Sequence, residues 1–427
     1  MAWPFPLPPS QTAPDCRIPA WIPAGLSLLL QLALAPFFGH AYDLRIFLAT
    51  GVLVATGRDP YLQVDLSALF HNPSFHGITT VGYPPPWPLI LGVLYRIAGA
   101  ALPDLRFYTL AIKLPVIAAN LGLAFLVRGQ LERLGAGPAA ARRAWLFLLF
   151  NPFLLFATAA WGQFDSLVAL LALAALACLA AEKCLLSAAL LALAVAFKPT
   201  AMSLLLVGLL YLKGRPARQV LGWYGMVLAG LLLFCVVPFW LFRWDPSPIL
   251  QNWNAHFMVG GGLSLLTFVE PLRDSYRLPG AWWLVGLAWV PALVAVTFLL
   301  RRGVRGERSL LLAGAVLVLT FFLARAWLSE PNLVLALPLV LILVALDELD
   351  GLALAAVWIL PLVFSLLNTA AIQLLFPSLP QLMARLLAWT DTFRGASLAG
   401  RIVVAAAWQL AGWWVVINCV RKLRRGT

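Results

Sequence analysis

One aspartate, Asp43, stands directly after the first long apolar segment, residues 21–38. The chain then stays partly polar to about Tyr83 and carries Arg45 close to the acid. An acid placed where a span leaves the bilayer is costly to bury and cheap to keep at the interface. If the loop faces away from the cytosol, Asp43 stands where a lipid-linked substrate would offer its head group, and it would act as a general base toward a hydroxyl. The competing interpretation is an interfacial acid that merely ends the span.

Two further polar positions interrupt apolar runs. Asp165 follows Gln163 and precedes a long apolar helix. It is either the cap of that helix, a position that aspartate favours, or a contact to a sugar or phosphate. Lys198 stands before a proline inside the apolar run 184–212. A lysine at membrane depth beside a helix break is a functional candidate, whereas a lysine reaching toward the interface from a helix end is the alternative.

Arg325 and Glu330 lie in a tight polar segment between two apolar runs. Arginine suits bidentate binding of a phosphate, although an ordinary Arg–Glu pair in a turn explains the same residues. Tyr83 and His256, on two other polar segments, are further candidates for substrate binding. The histidines share no helical ligand spacing, so we expect no metal site and no cofactor, with a divalent metal left open. The motifs of nucleotide hydrolases and of serine or thiol hydrolases do not occur in the sequence.

The composition requires a membrane protein. Hydrophobic residues make up 62% of the 427 residues and charged residues 11%, against about 25% in an ordinary soluble domain. The apolar runs are continuous and do not alternate, so we predict an all-α fold, a polytopic transmembrane helical bundle, and not a barrel. The formal charge of +13 lies largely in short loops between spans. We therefore expect the lipid bilayer, and no nucleic acid, among the partners.

The apolar runs predict about 12 spans (11–13). They cover residues 21–38, 84–101, 107–127, 142–160, 164–181, 184–212, 217–241, 281–300, 309–326, 331–346, 352–375 and 399–420. Short juxtamembrane helices are predicted at 42–56 and near 65–70 in the first outer loop, 39–83. We divide the chain into a Pro-rich segment (1–20), a catalytic transmembrane module (21–215) and C-terminal transmembrane helices (216–427) with an outer loop at 242–280.

Basic loops at 213–218, 301–308 and 421–425 are typical of the cytoplasmic side. With this orientation, the basic cluster at 128–143 falls on the outer side, where basic loops are not expected. The run 184–212 is too long for one straight helix and has a proline in its middle. Two short crossings there, with an error elsewhere, would put Gln163, Asp165 and Lys198 outside, and the sequence leaves both counts open.

The order of these features resembles the GT-C superfamily of polytopic glycosyltransferases. The nearest types are membrane mannosyltransferases of GPI synthesis and of archaeal or bacterial polyprenyl-phosphate-sugar pathways. The resemblance covers roughly residues 20–215, and 329–332 fits more loosely. The matching motifs are Tyr42-Asp43, 57–61, 83–86, 151–153, 161–166 and 197–200.

The resemblance implies an inverting transfer of a hexose, usually mannose, from a polyprenyl-phosphate donor to a lipid- or protein-linked acceptor outside the cytosol. It places the catalytic acid on the first outer loop, hence on Asp43. Many relatives carry a pair of acids there, whereas Asp43 has no acidic neighbour, which weakens metal dependence. Lys198, Arg325 or Arg45 would supply the positive charge that a departing phosphate needs. The substrate-binding candidates are Arg45, Tyr83, Gln163, Asp165, Lys198, His256, Arg325 and Glu330.

We therefore expect a hexosyltransferase in a bacterial or archaeal plasma membrane, rather than in the endoplasmic reticulum, with its active site facing outside. A lipid-linked-sugar transporter or flippase is the first alternative, but no internal repeat of the kind common in transporters is visible. An envelope glycan polymerase or ligase is the second alternative, and it would use a lipid-diphosphate donor and larger outer loops.

Overall fold

The computed structural model describes residues 19–79, 81–99, 105–257, 259–272, 277–278, 280–302 and 304–425. The Pro-rich segment predicted at 1–20 lies almost entirely outside these residues. The described chain is mostly helical. Its two strands, β1 (Gly261–Gly262) and β2 (Trp327–Leu328), pair in parallel over two residues. The predicted helical fold class is confirmed in this coarse form, because several of the helices are long and apolar.

The α-helices follow one another along the whole chain. They are α1 (Trp21–Leu34), α2 (Ala41–Ala55), α3 (Ser67–Phe70), α4 (Pro86–Leu94), α5 (Leu105–Arg133), α6 (Pro138–Leu149), α7 (Pro152–Leu155), α8 (Asp165–Ala180), α9 (Cys184–Phe197), α10 (Leu205–Tyr211), α11 (Ala217–Leu231), α12 (Val237–Phe242), α13 (Ser247–Phe257), α14 (Trp283–Gly286), α15 (Trp289–Leu300), α16 (Glu307–Leu323), α17 (Leu337–Ala345), α18 (Gly351–Leu367), α19 (Ala370–Gln373), α20 (Pro380–Asp391) and α21 (Arg394–Arg425). Single turns of π-helix lie at Tyr95–Gly99, Phe156–Ala160 and Leu232–Val236, and 3-10 turns lie at Pro73–Phe75, Pro199–Leu204, Leu265–Leu272, Gly280–Trp282 and Glu330–Leu335.

Leucine and alanine, which favour helices, dominate these segments, and proline or a capping side chain marks several of their starts. Asn151 caps α7 by accepting from the Leu154 amide at 2.8 Å, and Asp350 caps α18 by accepting from the Leu352 amide at 3.1 Å. Among the described residues, four helices are long and apolar enough to cross a membrane, and shorter apolar helices of 10–17 residues accompany them. The number of crossings stays a prediction.

The run 184–212, predicted as one span, is broken into two helices. α9 ends at Phe197, Lys198 is extended, and the chain continues through a 3-10 turn into α10. Pro199 cannot donate a helical hydrogen bond and pushes the residue before it out of the helical conformation. An ion pair of 2.6 Å between Glu182 and Arg215 brings the start of α9 and the end of α10 to the same place. The run therefore forms two helices and not one, and the two short crossings that this break favours stay a prediction.

The loops after α5, α8, α10, α15 and α17 meet the end of α21, and we call this group of loops the basic end. Arg133 of α5 forms an ion pair with Glu307, and Lys213 Nζ donates to the Arg301 carbonyl at 3.1 Å. Further contacts join the other loops, among them Lys422 with Glu348 at 3.1 Å and the Arg308 guanidinium with the Leu134 carbonyl at 3.0 Å. The cluster at 128–143, which fell on the wrong side in the predicted order of spans, thus lies with the other basic loops.

The two short helices predicted in the segment 39–83 are present as α2 and α3, but protein covers the apolar face of α2, and their place beside the membrane stays a prediction. Leu44, Phe47 and Leu48 are buried where α2 packs against α4. The run 84–101, predicted as a span, forms α4 and a π turn, in which Tyr95 meets Tyr108 near the start of α5 with ring centroids 5.2 Å apart. α4 therefore stays at the end of the bundle opposite the basic end.

Candidate active site

Asp43 lies in the first turn of α2 and faces the loop that precedes α8. Trp161 Nε1 donates to Asp43 Oδ2 at 2.6 Å, and Nδ1 of His40 lies 3.5 Å from the same oxygen. The Asp43 side chain is 18% exposed, and among the described residues no donor lies on its other oxygen, Oδ1. A carboxylate that is held through one oxygen and open at the other suits acceptance of a proton.

Backbone contacts fix these two loops against each other. The His40 amide donates to the Trp161 carbonyl at 3.2 Å, and the Gly39 amide donates to the Leu374 carbonyl at 2.8 Å. The π turn Phe156–Ala160 ends directly before Trp161, and such turns often occur at functional sites. Gly162 follows with φ +100°, a conformation that favours glycine. The chain is thus turned so that the indole reaches α2.

Lys113, in the N-terminal third of α5, binds the ends of both segments. Its buried Nζ lies within hydrogen-bond distance of the carbonyls of Ala35 and Phe38, just before Asp43, and of those of Ala159 and Ala160, just before Trp161, and its three N–H bonds are shared among these four oxygens. Carbonyls at helix ends carry partial negative charge, and a cation there stabilises them. Lys113 therefore holds together the two segments whose side chains meet at Asp43.

Tyr83 connects Asp43 to the second motif. Its hydroxyl donates to Gln163 Oε1 at 3.3 Å. Burial raises the pKa of Tyr83, and the carboxylates of Asp43 and Asp165 raise that pKa further, so the hydroxyl stays protonated between two acids. The Tyr61 hydroxyl donates to the Tyr83 carbonyl at 3.0 Å, which holds the residue in place.

Asp165 and Lys198 form a buried ion pair. Lys198 Nζ lies 2.8 Å from both carboxylate oxygens, and the two side chains are 1% and 9% exposed. Asp165 is the first residue of α8, and the cap position is Phe164, so capping does not explain the acid. The ammonium also lies 5.5 Å from the centre of the Tyr83 ring, within range of a cation–π contact. The pair leaves little net charge at Lys198.

A cavity of about 400 Å³ opens beside this ion pair. Arg325 and Lys198 are the cations in its wall, and Trp253 and Trp289 are among its aromatic residues. The Arg325 guanidinium lies over the Phe321 ring, 5.3 Å from its centre, and no acid among the described residues pairs with it. An arginine without a protein acid in an aromatic cavity is suited to an anionic ligand.

The segment 242–280 lines part of this cavity and is tied to the segment 39–83. The Asp245 amide donates to Asp59 Oδ2 at 2.7 Å, and Trp253 Nε1 donates to the Gly82 carbonyl at 3.2 Å. The pairing of β1 with β2 joins the same segment to the loop that carries Arg325. These contacts explain how distant polar segments form one wall.

Glu330 lies close enough to Asp43 for the two carboxylates to repel each other. Its Oε1 accepts from Asn368 Nδ2 at 3.2 Å, and Asn368 Oδ1 accepts from Arg401 Nη1 at 3.1 Å. This chain of contacts links the region of Asp43 to α18 and α21. In the part of the chain that is described, no three His, Cys, Asp or Glu side chains form a candidate metal centre.

The other predicted site residues are more scattered. Arg45 turns away and donates to the carbonyls of Ala41 at 2.6 Å and Ser74 at 2.7 Å. His256 lies on α13, but its side chain is outside the described residues. Tyr83 and Arg325 line the cavity, whereas Asp43 is not among its lining residues.

Sequence reasoning missed Lys113 and gave Trp161 no role. Lys113 carried a signal, since a lysine inside the apolar run 107–127 is costly unless it is paired. The cavity residues Trp253 and Trp289 carried no signal in the sequence. Aromatic residues make up 12% of the whole chain, so these two do not stand out.

One family model matches, over residues 31–213, and it is described as MptA_B family, alpha-(1->6)-mannopyranosyltransferase, N-terminal domain. The matched range holds Asp43, Tyr83, Gln163, Asp165 and Lys198, and it ends before Arg325. No curated protein matches the chain. The matched family is of the GT-C mannosyltransferase type, which confirms the resemblance found in the sequence. The chain is a glycosyltransferase, and its residues 31–213 are similar to the N-terminal domain of a GT-C type mannosyltransferase family.

Proposed function

We propose that the protein transfers a hexose, with mannose the expected sugar, from a polyprenyl-phosphate donor to a lipid- or protein-linked acceptor, with inversion at the anomeric carbon. The observation that carries this proposal is that Tyr83, whose hydroxyl is influenced by the charge of Asp43, also lines the cavity that holds Arg325. In a single displacement, the base and the leaving group stand on opposite faces of the sugar. Asp43 supplies the base, and the cavity with Arg325 receives the phosphate.

The charge in the cavity supports a monophosphate donor. Lys198 is already paired with Asp165, so Arg325 is the cation in the described wall that lacks an acid. A phosphodiester head group carries one negative charge and matches one guanidinium in a bidentate contact. A lipid diphosphate would bring a second negative charge, for which the described wall offers no second unpaired cation.

In the proposed reaction, the oxygen of the acceptor hydroxyl attacks the anomeric carbon, and Oδ1 of Asp43 takes the proton of that hydroxyl. The bond between that carbon and the phosphate oxygen breaks, and its electron pair leaves with the polyprenyl phosphate. Arg325 stabilises the charge that develops on the phosphate. Tyr83 and Gln163 then contact the sugar between the base and the leaving group.

The proposed topology puts the basic end in the cytosol, since short loops rich in lysine and arginine are retained there. With α2 and α4 kept at the opposite end and 184–212 counted as two short crossings, the bundle crosses the membrane about 12 times. Asp43 and the cavity then face the outside, in a bacterial or archaeal plasma membrane. Residues 216–427 complete the site, because they supply Arg325 and the aromatic wall.

The test is to give purified protein a radiolabelled polyprenyl-phosphate mannose together with candidate lipid and peptide acceptors. We expect label in the acceptor, with the anomeric configuration opposite to that of the donor. A matched reaction with the diphosphate-linked sugar should yield little product. Movement of intact labelled lipid across vesicles without transfer, or efficient use of the diphosphate donor, would contradict the proposal and favour a flippase or a polymerase.

A further inference from the structure

His40 has no evident structural task as the residue that begins α2. It occupies the cap position, yet its side chain makes no capping hydrogen bond. Histidine is also not among the residues that favour this position, which are serine, threonine, aspartate and asparagine. A cap residue that does not cap is free to use its side chain for another purpose.

The imidazole lies between the two residues that define the base. It stacks on the Trp161 indole, with ring centroids 4.3 Å apart and planes 10° apart. This stacking aims Nδ1 at Asp43 Oδ2, 3.5 Å away. Nδ1 is buried and has no hydrogen-bond partner at this distance. A buried polar atom without a partner is costly, so its direction toward a carboxylate requires an explanation.

The hydrogen of the neutral ring is assigned to Nδ1 from this contact, because two lone pairs that face each other would repel. The N–H then points at the oxygen that Trp161 Nε1 already binds. Hydrogen bonds in catalytic sites are often long without substrate and tighten when substrate binds. Two donors on Oδ2 would fix the rotation of the carboxylate and leave Oδ1 toward the acceptor.

We propose that His40 is a positioning residue, which together with Trp161 orients the Asp43 carboxylate, and that it does so as a neutral imidazole. The inference rests on the proposed function of Asp43 as the base. In the reaction, His40 keeps its proton, and the proton of the acceptor goes to Asp43 alone. A protonated His40 would form an ion pair with Asp43 and make it a weaker base, so the site loses activity in acid.

The surroundings support the neutral form. Burial lowers the pKa of His40, Asp43 raises it in opposition, and Arg45 lowers it further. Two other charged groups face the region from neighbouring elements, namely Glu330 beside Asp43 and Lys113 behind the Phe38 carbonyl. The pKa of the imidazole therefore lies below its ordinary value, and the ring stays uncharged at neutral pH.

The test compares three substitutions of His40 in the full-length protein, assayed with polyprenyl-phosphate mannose. His40→Asn keeps a donor at the place of Nδ1, His40→Gln moves it to the place of Nε2, and His40→Phe keeps the stacking alone. We expect His40→Asn to keep kcat within about threefold, and the other two to lose about tenfold or more with the donor KM unchanged. In the pH profile of kcat, the decline toward acid that comes from protonation of His40 should be missing in His40→Asn.

Thermal unfolding of each variant separates positioning from folding. Should His40→Phe fail to fold, the comparison of His40→Asn with His40→Gln carries the test. Normal turnover by His40→Phe and His40→Gln, or equal losses in all three variants, would overturn the role of His40. Asp43→Asn distinguishes the two proposals: if it is inactive while His40→Phe and His40→Gln are normal, only the role of His40 fails. If Asp43→Asn turns over normally, the base itself is misassigned.

Discussion

Trp161 and Asp43 are joined by a hydrogen bond of 2.6 Å across 118 positions of the chain. The indole reaches the carboxylate because a π turn and Gly162 bend the chain before α8. Lys113 binds the backbone that precedes both residues. The orientation of the base therefore depends on a second segment of the fold and not on α2 alone.

Trp161→Phe should keep the ring packing and remove the donor from Asp43. A hydrogen bond to a charged group contributes about 1.5–3 kcal/mol, so we expect kcat to fall about 10- to 100-fold with little change in the donor KM. Initial rates over a range of donor concentrations measure both. Trp145→Phe is the matched control, because Trp145 is equally buried and its Nε1 has no partner among the described residues. Equal rates for the two variants would show that the bond to Asp43 is irrelevant.

Arg325→Gln should weaken donor binding, because the phosphate loses the one cavity cation that no described acid neutralises. We expect the donor KM to rise about tenfold or more, and Arg325→Lys to restore only part of it, since lysine cannot make the bidentate contact. Arg302→Gln, on an exposed residue of the basic end, is the control. An unchanged KM in Arg325→Gln would move the phosphate away from this cavity.

The Asp165–Lys198 pair should behave as a buried ion pair whose halves cannot be removed singly. Asp165→Asn or Lys198→Met alone leaves an uncompensated charge and should cost about 3–5 kcal/mol of stability. The double variant should lose much less stability than the sum of the two single losses, and this difference is the coupling energy of the pair. Unfolding in detergent measures the cycle. Additive losses would mean that the two charges do not depend on each other.

Lys113→Met should separate the ends of α1 and of the π turn before Trp161. Four carbonyls lose a donor, so we expect a loss of about 3 kcal/mol or more in the free energy of unfolding, together with a lower kcat. Lys422→Met is the control, since its ion pair with Glu348 is partly exposed and such pairs contribute about 1 kcal/mol or less. Should the two variants unfold alike, Lys113 does not hold the segments together.

The sequence predicted the polar positions of the site because charges inside apolar runs are costly and conspicuous. Asp43, Gln163, Asp165 and Lys198 were found on this ground, and Asp165 with Lys198 proved to be partners. Their pairing was not predictable, because 33 positions and a chain reversal separate them. The orientation of Trp161 depends on a π turn, for which the sequence carries no recognised signal.

The predicted helical class is confirmed, but hydropathy left two features of the apolar runs undecided. Hydropathy alone could not distinguish α4, which packs against α2, from a crossing helix, because both are equally apolar. It also could not decide whether Pro199 bends one helix or reverses the chain. The contacts of Arg133 with Glu307 and of Glu182 with Arg215 show that the chain reverses at Pro199 and that the basic loops lie at one end.

The most direct test of the account is the single-turnover rate of Asp43→Asn with labelled donor already bound. Asparagine keeps the shape of the side chain and can still accept from Trp161, but it cannot take a proton. We expect transfer to fall by about 10²–10⁴-fold while the donor affinity and the unfolding temperature stay close to those of the unsubstituted protein. A rate within about tenfold of the original, with a correctly folded variant, would contradict the assignment of Asp43 as the base.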